Sequence, residues 1–222
     1  MAVKKLTTPE RFVGASTDTK PTDGATSVRP GATFLEYDTG VWFITYDGTN
    51  WVPKLDPVSG VQKVVSVTKA CASATAYHAE DVLSESATVG TAWTFSAIAR
   101  ANGANGYITK AQVICETTAV TPRLTLFLFN AAQTGAVNDH AANTAPVHAD
   151  EATYIGKIDF PAMEDLGTGD SITVATPSTF GNLPLAFTCA SGADDLIGVL
   201  VTRDVFTNTA TNDIIVKLTV EQ

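Results

Sequence analysis

From residue 63 to the C-terminus the chain is a succession of short β-prone runs cut by Gly, Asn, Asp and Pro. This punctuation constrains the fold more than any other feature. The runs are "KVVSVTK" (63–69), "TAWTFSAIAR" (91–100), "GYITKAQVICET" (106–117), "PRLTLFLFN" (122–130), "TYIGKIDF" (153–160), "SITVATPS" (171–178), "LPLAFTCA" (183–190), "DLIGVLVTRD" (195–204) and "DIIVKLTVEQ" (213–222). Nine strands with irregular loops in roughly 160 residues predict an all-β, jelly-roll-like two-sheet β-sandwich. An immunoglobulin-like order fits the same strand count. In the last run Ile214, Val216, Leu218 and Val220 share one side, which predicts a half-buried strand. "LIGVLVTR" is apolar on both sides, as expected in mid-sheet or against a neighbouring subunit. Trp93, Phe95 and Ala97 share a face that reads as core. No run has a sustained helical period, and only "AEDVLSES" (79–86) offers a short turn of helix.

The N-terminal quarter is different. Residues 1–31 lack periodicity and are rich in Thr, Pro, Gly and Ala, which predicts an extended arm. Phe12 and Val13 are its apolar grips should it order against a neighbour. Residues 32–54, "ATFLEYDTGVWFITYDGTNWVPK", hold six of the chain's 18 aromatic residues and two of its three tryptophans. Turn signals at Asp38-Thr39-Gly40 and Asp47-Gly48 predict a small three-stranded β-meander. In its middle strand Val41, Phe43 and Thr45 point one way while Trp42, Ile44 and Tyr46 point the other. Both faces are therefore apolar, and one must find a cover outside the meander. Residues 55–62, with Pro57 and Gly60, read as a linker to a sandwich domain at 63–222.

Composition removes several function classes. Hydrophobic residues make up 45% and charged residues 17%, which excludes a disordered chain. A net charge of −9 disfavours nucleic acid, whose phosphates need clustered Lys and Arg. Residues 1–60 hold six Lys/Arg against seven Asp/Glu, whereas residues 61–222 hold eight against 16, so the acidity belongs to the sandwich. Cys71, Cys115 and Cys189 are odd in number and widely spaced, which predicts reduced, buried thiols. "MAVKKLTTPERF" lacks the apolar run of a signal peptide, and no stretch approaches a membrane span. These features point to a soluble protein made in a reducing cytoplasm.

Residues able to do chemistry are present but not in chemical patterns. The long loop 131–152 contains Asn138, Asp139, His140, His148, Asp150 and Glu151, whose spacing matches no metal motif. A solvated loop or subunit contact is the expectation there, with no metal. No nucleophile elbow accompanies His78, His140 or His148. The acidic pairs Glu80-Asp81, Glu164-Asp165 and Asp194-Asp195 are adjacent, unlike the facing carboxylates of a glycosidase. The glycines of "RANGANGYI" (100–108) enter a strand rather than a helix, so they read as positive-φ turns at Asn102-Gly103 and Asn105-Gly106 and not as a phosphate cradle. The expectation is a protein with no catalytic residues and no cofactor.

The segment "DTKPTDGATSVRPGATFLEYDTGVWFITYDGTNWVPK" resembles a β-meander found near the N-terminus of tailed-bacteriophage virion structural proteins. The matching residues are Pro21, Asp23, Gly24, Ala25, Gly31, Glu36, Asp38, Thr39, Gly40, Tyr46, Asp47, Gly48 and Trp51. The following domain, with "AEDVLSESATVGTAWTFSAIARANGANGYITKA", "RLTLFLFNA" and "YIGKIDFPAM", is similar to uncharacterised phage virion proteins of like length. The resemblance implies a non-enzymatic capsid decoration or auxiliary protein, found in the virion after assembly in the host cytoplasm. Its implied partner is the major capsid protein or another virion protein, and its implied state a homo-oligomer such as a trimer. A tail-associated receptor- or glycan-binding module is the alternative. On the attachment reading, Phe12, Val13, Trp42, Phe43, Tyr46 and Trp51 are the candidate assembly contacts.

Overall fold

The computed structural model describes residues 10–22, 28–54, 62–71, 75–177, 182–209 and 212–222. The chain divides into two compact units, Met1–Ser59 and Gly60–Gln222. The expected linker lies outside the described residues except for Gln62, which opens the first strand of the second unit.

The first unit is one four-stranded sheet in the order β1 (Arg11–Gly14), β2 (Thr33–Glu36), β3 (Trp42–Thr45), β4 (Trp51–Pro53). The expected meander is β2–β3–β4, joined by the two Asp-containing turns. Residues 1–9 and 23–27 of the segment expected as an extended arm (1–31) lie outside the described residues; within that segment, Arg11–Gly14 is a fourth strand that pairs in parallel with Thr33–Glu36. The free edge of β2 accepts it, with the Thr33 and Tyr37 amides donating to the carbonyls of Glu10 and Gly14, 3.0 Å in each case. Gly14 is required by close approach, because a Cβ there would lie 2.8 Å from the Phe34 ring.

The second unit contains β5 (Gln62–Ala70), β6 (Ala76–Tyr77), β7 (Val82–Leu83), β8 (Trp93–Phe95), β9 (Asn105–Cys115), β10 (Leu124–Phe129), β11 (Tyr154–Phe160), β12 (Ser171–Ala175), β13 (Leu185–Thr188), β14 (Leu196–Thr202), β15 (Phe206–Thr207) and β16 (Asp213–Glu221). With the β15-β6 ribbon set aside and β7/β8 and β12/β13 each counted as one interrupted position, eight positions remain. They pair from the outside inward: β5 with β16, β7/β8 with β14, β9 with β12/β13, and β10 with β11. The short β6–β15 ribbon continues the outermost pair between these positions. Pairs β16–β9 and β14–β10 complete two sheets, β12-β9-β16-β5 and β11-β10-β14-β7. This inward-nested antiparallel pairing across two sheets is the jelly roll.

Alternation built the core. Ile108, Ala111, Val113, Cys115, Ile214, Val216, Leu218 and Val220 from one sheet meet Leu124, Leu126, Leu128, Ile158, Leu196 and Leu200 from the other. Trp93 and Phe95 are buried with them, and the Trp93 indole N–H donates to Leu83 O at 2.9 Å. Ala97 is not core: its φ of 50° turns the chain out of β8 and leaves it exposed. Residues 79–86 carry no helical turn. Val82 and Leu83 pair with Val201 and Leu200, and burying both side chains in the sandwich outweighs a local helical preference. Gly103 has the expected positive φ, but Gly106 lies within β9, where a Cβ would stand 2.6 Å from Glu221 O.

All six residues of β10 are buried, so the sheet β11-β10-β14-β7 is covered on both faces. The outer cover is the segment between β10 and β11, expected as a solvated loop or a subunit contact. Its Ala136, Val137 and Ala145 pack with Val82, Phe127, Phe129, Val199 and Val201 in a second apolar cluster. The apolar outer side of β14 is thereby explained within the chain.

Candidate functional site

The first unit has two chemically different faces. One carries the row Phe12–Phe34–Phe43–Pro53 in register across the four strands, with Trp51 beside it opposite Thr45. Phe12 and Phe34 both meet Trp51 edge-on, at centroid separations of 6.2 and 6.0 Å. The chain after β1 crosses this face. The Trp51 indole N–H donates to Pro21 O at 2.6 Å, and Lys20 Nζ stands 4.0 Å from the centre of the Phe43 ring. Lys20 also bonds Glu36 Oε1 at 2.6 Å, and this bond holds the Glu36 carboxyl below its ordinary range. The Lys20 ammonium lies over the Phe34 and Phe43 rings while its charge stays paired with Glu36, a workable lid for a small sheet.

The opposite face has no such lid among the described residues. The registers define a grid of two rows: Arg11–Thr33–Ile44–Val52, and Val13–Leu35–Trp42–Lys54. Lys54 takes its place because its amide donates to Trp42 O at 2.7 Å. Val13 is 67% exposed, Val52 41% and Trp42 36%, while Leu35 and Ile44 are half-buried. Tyr37, Val41 and Tyr46 stand exposed beside the strand ends. Six of the eleven exposed large hydrophobic side chains among the described residues thus belong to this one small unit, three of them on its strands. One sheet edge is blunted by Pro53, which has no N–H to offer a further strand.

The candidate contacts therefore separate. Val13 and Trp42 lie together on the bare face, and Tyr46 is exposed in the turn after β3. Phe12, Phe43 and Trp51 belong to the covered face and act as its internal packing. Leu35, Ile44 and Val52 complete the bare face but were not singled out from sequence. Their signal was available, since Ile44 shares strand parity with Trp42, Leu35 is the cross-strand partner of Trp42 and Val52 that of Ile44.

The described acids of this unit are engaged by its turns and by the segment after β1. Asp47 accepts from the amides of Asn50 and Thr49 at 2.7 and 2.8 Å, which holds its carboxyl well below the ordinary range. The Ser16 hydroxyl donates to Asp38 at 2.6 Å and lowers that carboxyl as well. Asp18 accepts from the Ala15 amide and Glu10 from that of Arg29. No described carboxylate occupies the eight-position grid, whose only charges are Arg11 and Lys54.

The second unit engages its polar residues internally. Asp139 accepts from Tyr77 Oη and the Ser84 amide, both at 2.9 Å, while His140 stacks on Tyr77 at 3.9 Å. Asp150 is buried and accepts from the Thr134 amide and hydroxyl. The Asp139 bonds pin the covering segment to β6 and to the residue after β7, and the Asp150 bonds tie that segment to itself. His148 and Glu151 stand exposed at a 3-10 turn, His148–Asp150. Among the described residues no group of three or more His, Cys, Asp or Glu could hold a metal ion. Burial pushes the thiols of Cys71 and Cys189 up to about 12 and about 11, so they are protonated and unreactive at neutral pH.

A cavity of about 230 Å³ is lined by Arg123, Lys157 and Arg203. Each cation there already has a carboxylate, Asp204 at 2.7 Å, Asp159 at 2.8 Å and Glu80 respectively, so no charge is left over for an anion. Its volume is also below the usual ligand range of about 300–1,000 Å³. The bare sheet face is the feature that asks for a partner. Comparison with protein-family models, with curated proteins and with solved structures finds no match.

Proposed function

We propose that this chain is a non-enzymatic structural component of a tailed-bacteriophage virion, a decoration or auxiliary protein bound to the outside of the assembled head. The four-stranded unit is the attachment module, and the acidic jelly roll is the body it carries. The observation behind this reading is the bare face on which Val13, Trp42 and Val52 are exposed and Leu35 and Ile44 half-buried, in a unit whose other face is already filled. Fully burying one such side chain is worth about 1.5–3 kcal/mol, so leaving this set in water disfavours the free chain relative to a bound one. The sequence resemblance to virion meanders covers β2, β3 and β4, three of the four strands of this sheet.

The face is small. Eight outward positions, at strand spacing of about 4.8 Å and about 6.8 Å between same-face residues, span roughly 260 Å² of sheet. A stable interface takes about 800 Å² from each partner. One module alone would bind weakly, and a homo-oligomer of the jelly roll supplies the missing strength by avidity. Binding only the assembled shell then stabilises that shell by mass action, without any covalent step.

The test is copy number per purified particle, by quantitative mass spectrometry against the major capsid protein. Hundreds of copies are expected for lattice decoration. A few to a few dozen copies would replace this reading with a tail-associated binding module, and none would remove the virion assignment.

A further inference from the structure

We infer that the jelly roll carries a subsite for one ring of a neutral saccharide, centred on Tyr107. It stands apart from the attachment reading, which concerns the other unit. Tyr107 lies on the outer face of the sheet β12-β9-β16-β5 and is 54% exposed. Its cross-strand neighbours are Ala186 on β13 and Glu221 on β16, and Glu221 in turn faces Gln62 on β5. Asn105 stands two residues earlier on the same face. Ala186 has only a methyl group to lay against the ring, so the aromatic face stays open on that side. Asn105, Gly106, Tyr107, Glu221 and Gln222 line a cavity of about 230 Å³ at this corner. Strand geometry places the Cβ atoms of Tyr107 and Glu221 about 5 Å apart, and Asn105 and Glu221, on the diagonal, about 7–8 Å apart.

The polar groups of this cavity are uncommitted. Among the described residues, Tyr107 Oη and the Asn105 side-chain amide form no hydrogen bond, and Glu221 accepts one from a side chain, Gln62 Nε2 at 3.0 Å. Gln222 is anchored through Nε2 to Ile98 O and forms the wall. The cavity at Arg123 has its charges paired, and a third, of about 260 Å³ at Asn130, has its amide donating to Thr188 O at 3.2 Å.

This donor set selects its ligand. No cation lines the cavity and Glu221 opposes an anion, which disfavours phosphorylated and uronic acid sugars. An ammonium offers donors alone, whereas the Asn105 amide and the Tyr107 hydroxyl each offer both donor and acceptor. Sugar hydroxyls do the same. The C–H groups on one face of a sugar ring are slightly positive and suit the negative face of the tyrosine ring. One ring seated here leaves the rest of a glycan in water, so a cavity smaller than a drug pocket suffices. Such a contact is weak, with a Kd on the order of 1 mM. Many copies held on one particle would add these contacts by avidity.

The experiment titrates the full-length, isotope-labelled chain with D-glucose, D-galactose, N-acetylglucosamine and D-glucuronic acid, following amide chemical shifts. Saturable shifts are expected at residues 105–108 and 220–222 with at least one neutral sugar. Tyr107→Ala should weaken that binding about tenfold, and Tyr107→Phe, which keeps the ring, about threefold. Glucuronic acid should bind the wild type more weakly than glucose, and the gap should close in Glu221→Gln. Each variant is first checked for native circular dichroism, and the two conservative ones carry the test if Tyr107→Ala fails to fold.

Silence at these amides with every neutral sugar at about 50 mM overturns the site. Unchanged affinity in Tyr107→Ala, or glucuronic acid binding more tightly than glucose, does so as well. Each of these outcomes leaves the attachment reading standing, and a particle copy number that removes that reading leaves the sugar subsite standing.

Discussion

The two units meet the same problem and solve it differently. In the jelly roll, β14 and β10 present apolar side chains on both faces, and the segment between β10 and β11 folds back to cover the outer one. In the small unit, the chain after β1 covers the face of Phe34, Phe43 and Trp51, leaving Val13, Trp42 and Val52 in water. One segment can lid only one side of a four-stranded sheet. An apolar face that remains uncovered after the chain has used its local cover is a better pointer to a partner than apolar content alone, which is equally high in β14.

The largest effect that probes this contrast is expected for Phe129→Ala. It should cost about 3–5 kcal/mol, because Phe129 is fully buried under the covering segment. Calorimetry should show a fall in Tm of roughly 10 °C for a domain of this size. An unchanged Tm would mean that the outer cluster adds no stability and that the two units do not differ as described.

Next comes the pair Trp51→Ala and Trp42→Ala, which compares the two faces of one sheet. Trp51→Ala should destabilise the small unit by about 2–4 kcal/mol, through lost packing and a lost indole bond. Trp42→Ala should cost under about 1 kcal/mol in the free protein. Amide exchange across residues 33–45 reads both, and equal loss of protection would erase the distinction between covered and bare.

Gly14→Ala asks how tightly the covered face is packed. The added Cβ would meet the Phe34 ring at 2.8 Å and Asp18 Oδ2 at 2.9 Å, so a cost of about 1–3 kcal/mol is expected. Denaturant titration followed by tryptophan fluorescence checks it; a neutral result would indicate slack around β1.

The smallest effect is that of acid. The carboxyls of Glu36, Asp38 and Asp47 lie below their ordinary values in the folded unit, through bonds from Lys20, Ser16 and Asn50 respectively. Folding therefore lowers proton uptake, and the associated stability is fully present above the unfolded values of about 4. It is lost as pH falls below that range through the folded values. Solvent screening keeps the effect modest. Exchange protection of the small sheet should weaken from about pH 4 downward. Protection that rises on acidification would contradict the assigned turn bonds.

Much of this arrangement can be read from the residues. Turn signals at Asp38-Thr39-Gly40 and Asp47-Gly48 located the meander, and strict alternation in "DIIVKLTV" located a half-buried strand that became β16. The opposition of Trp42 and Phe43 was equally plain, since neighbouring strand residues point to opposite faces. Less could be read where pairing partners lie far apart in the chain. Arg11–Gly14 has the composition of an arm, and only the free edge of β2 makes it a strand. Val82 and Leu83 become a strand through partners more than a hundred residues away.

The sequence by itself determined that this is an all-β chain, with a small aromatic sheet ahead of an acidic sandwich and no spaced catalytic or metal motif. Period, turn chemistry and charge are local properties, carried by residues close in the chain. Tertiary structure decided which side of each two-faced sheet is buried. Alternation places Trp42 opposite Phe43 but treats the two sides alike, and the symmetry is broken by where Lys20 and Pro21 land. In the jelly roll the same choice is made by Ala136, Val137 and Ala145, brought onto Phe127 and Phe129 by the return of the chain into β11. Burial is a property of the pair of surfaces that meet, and the second surface is set by long-range packing that no local run of residues encodes.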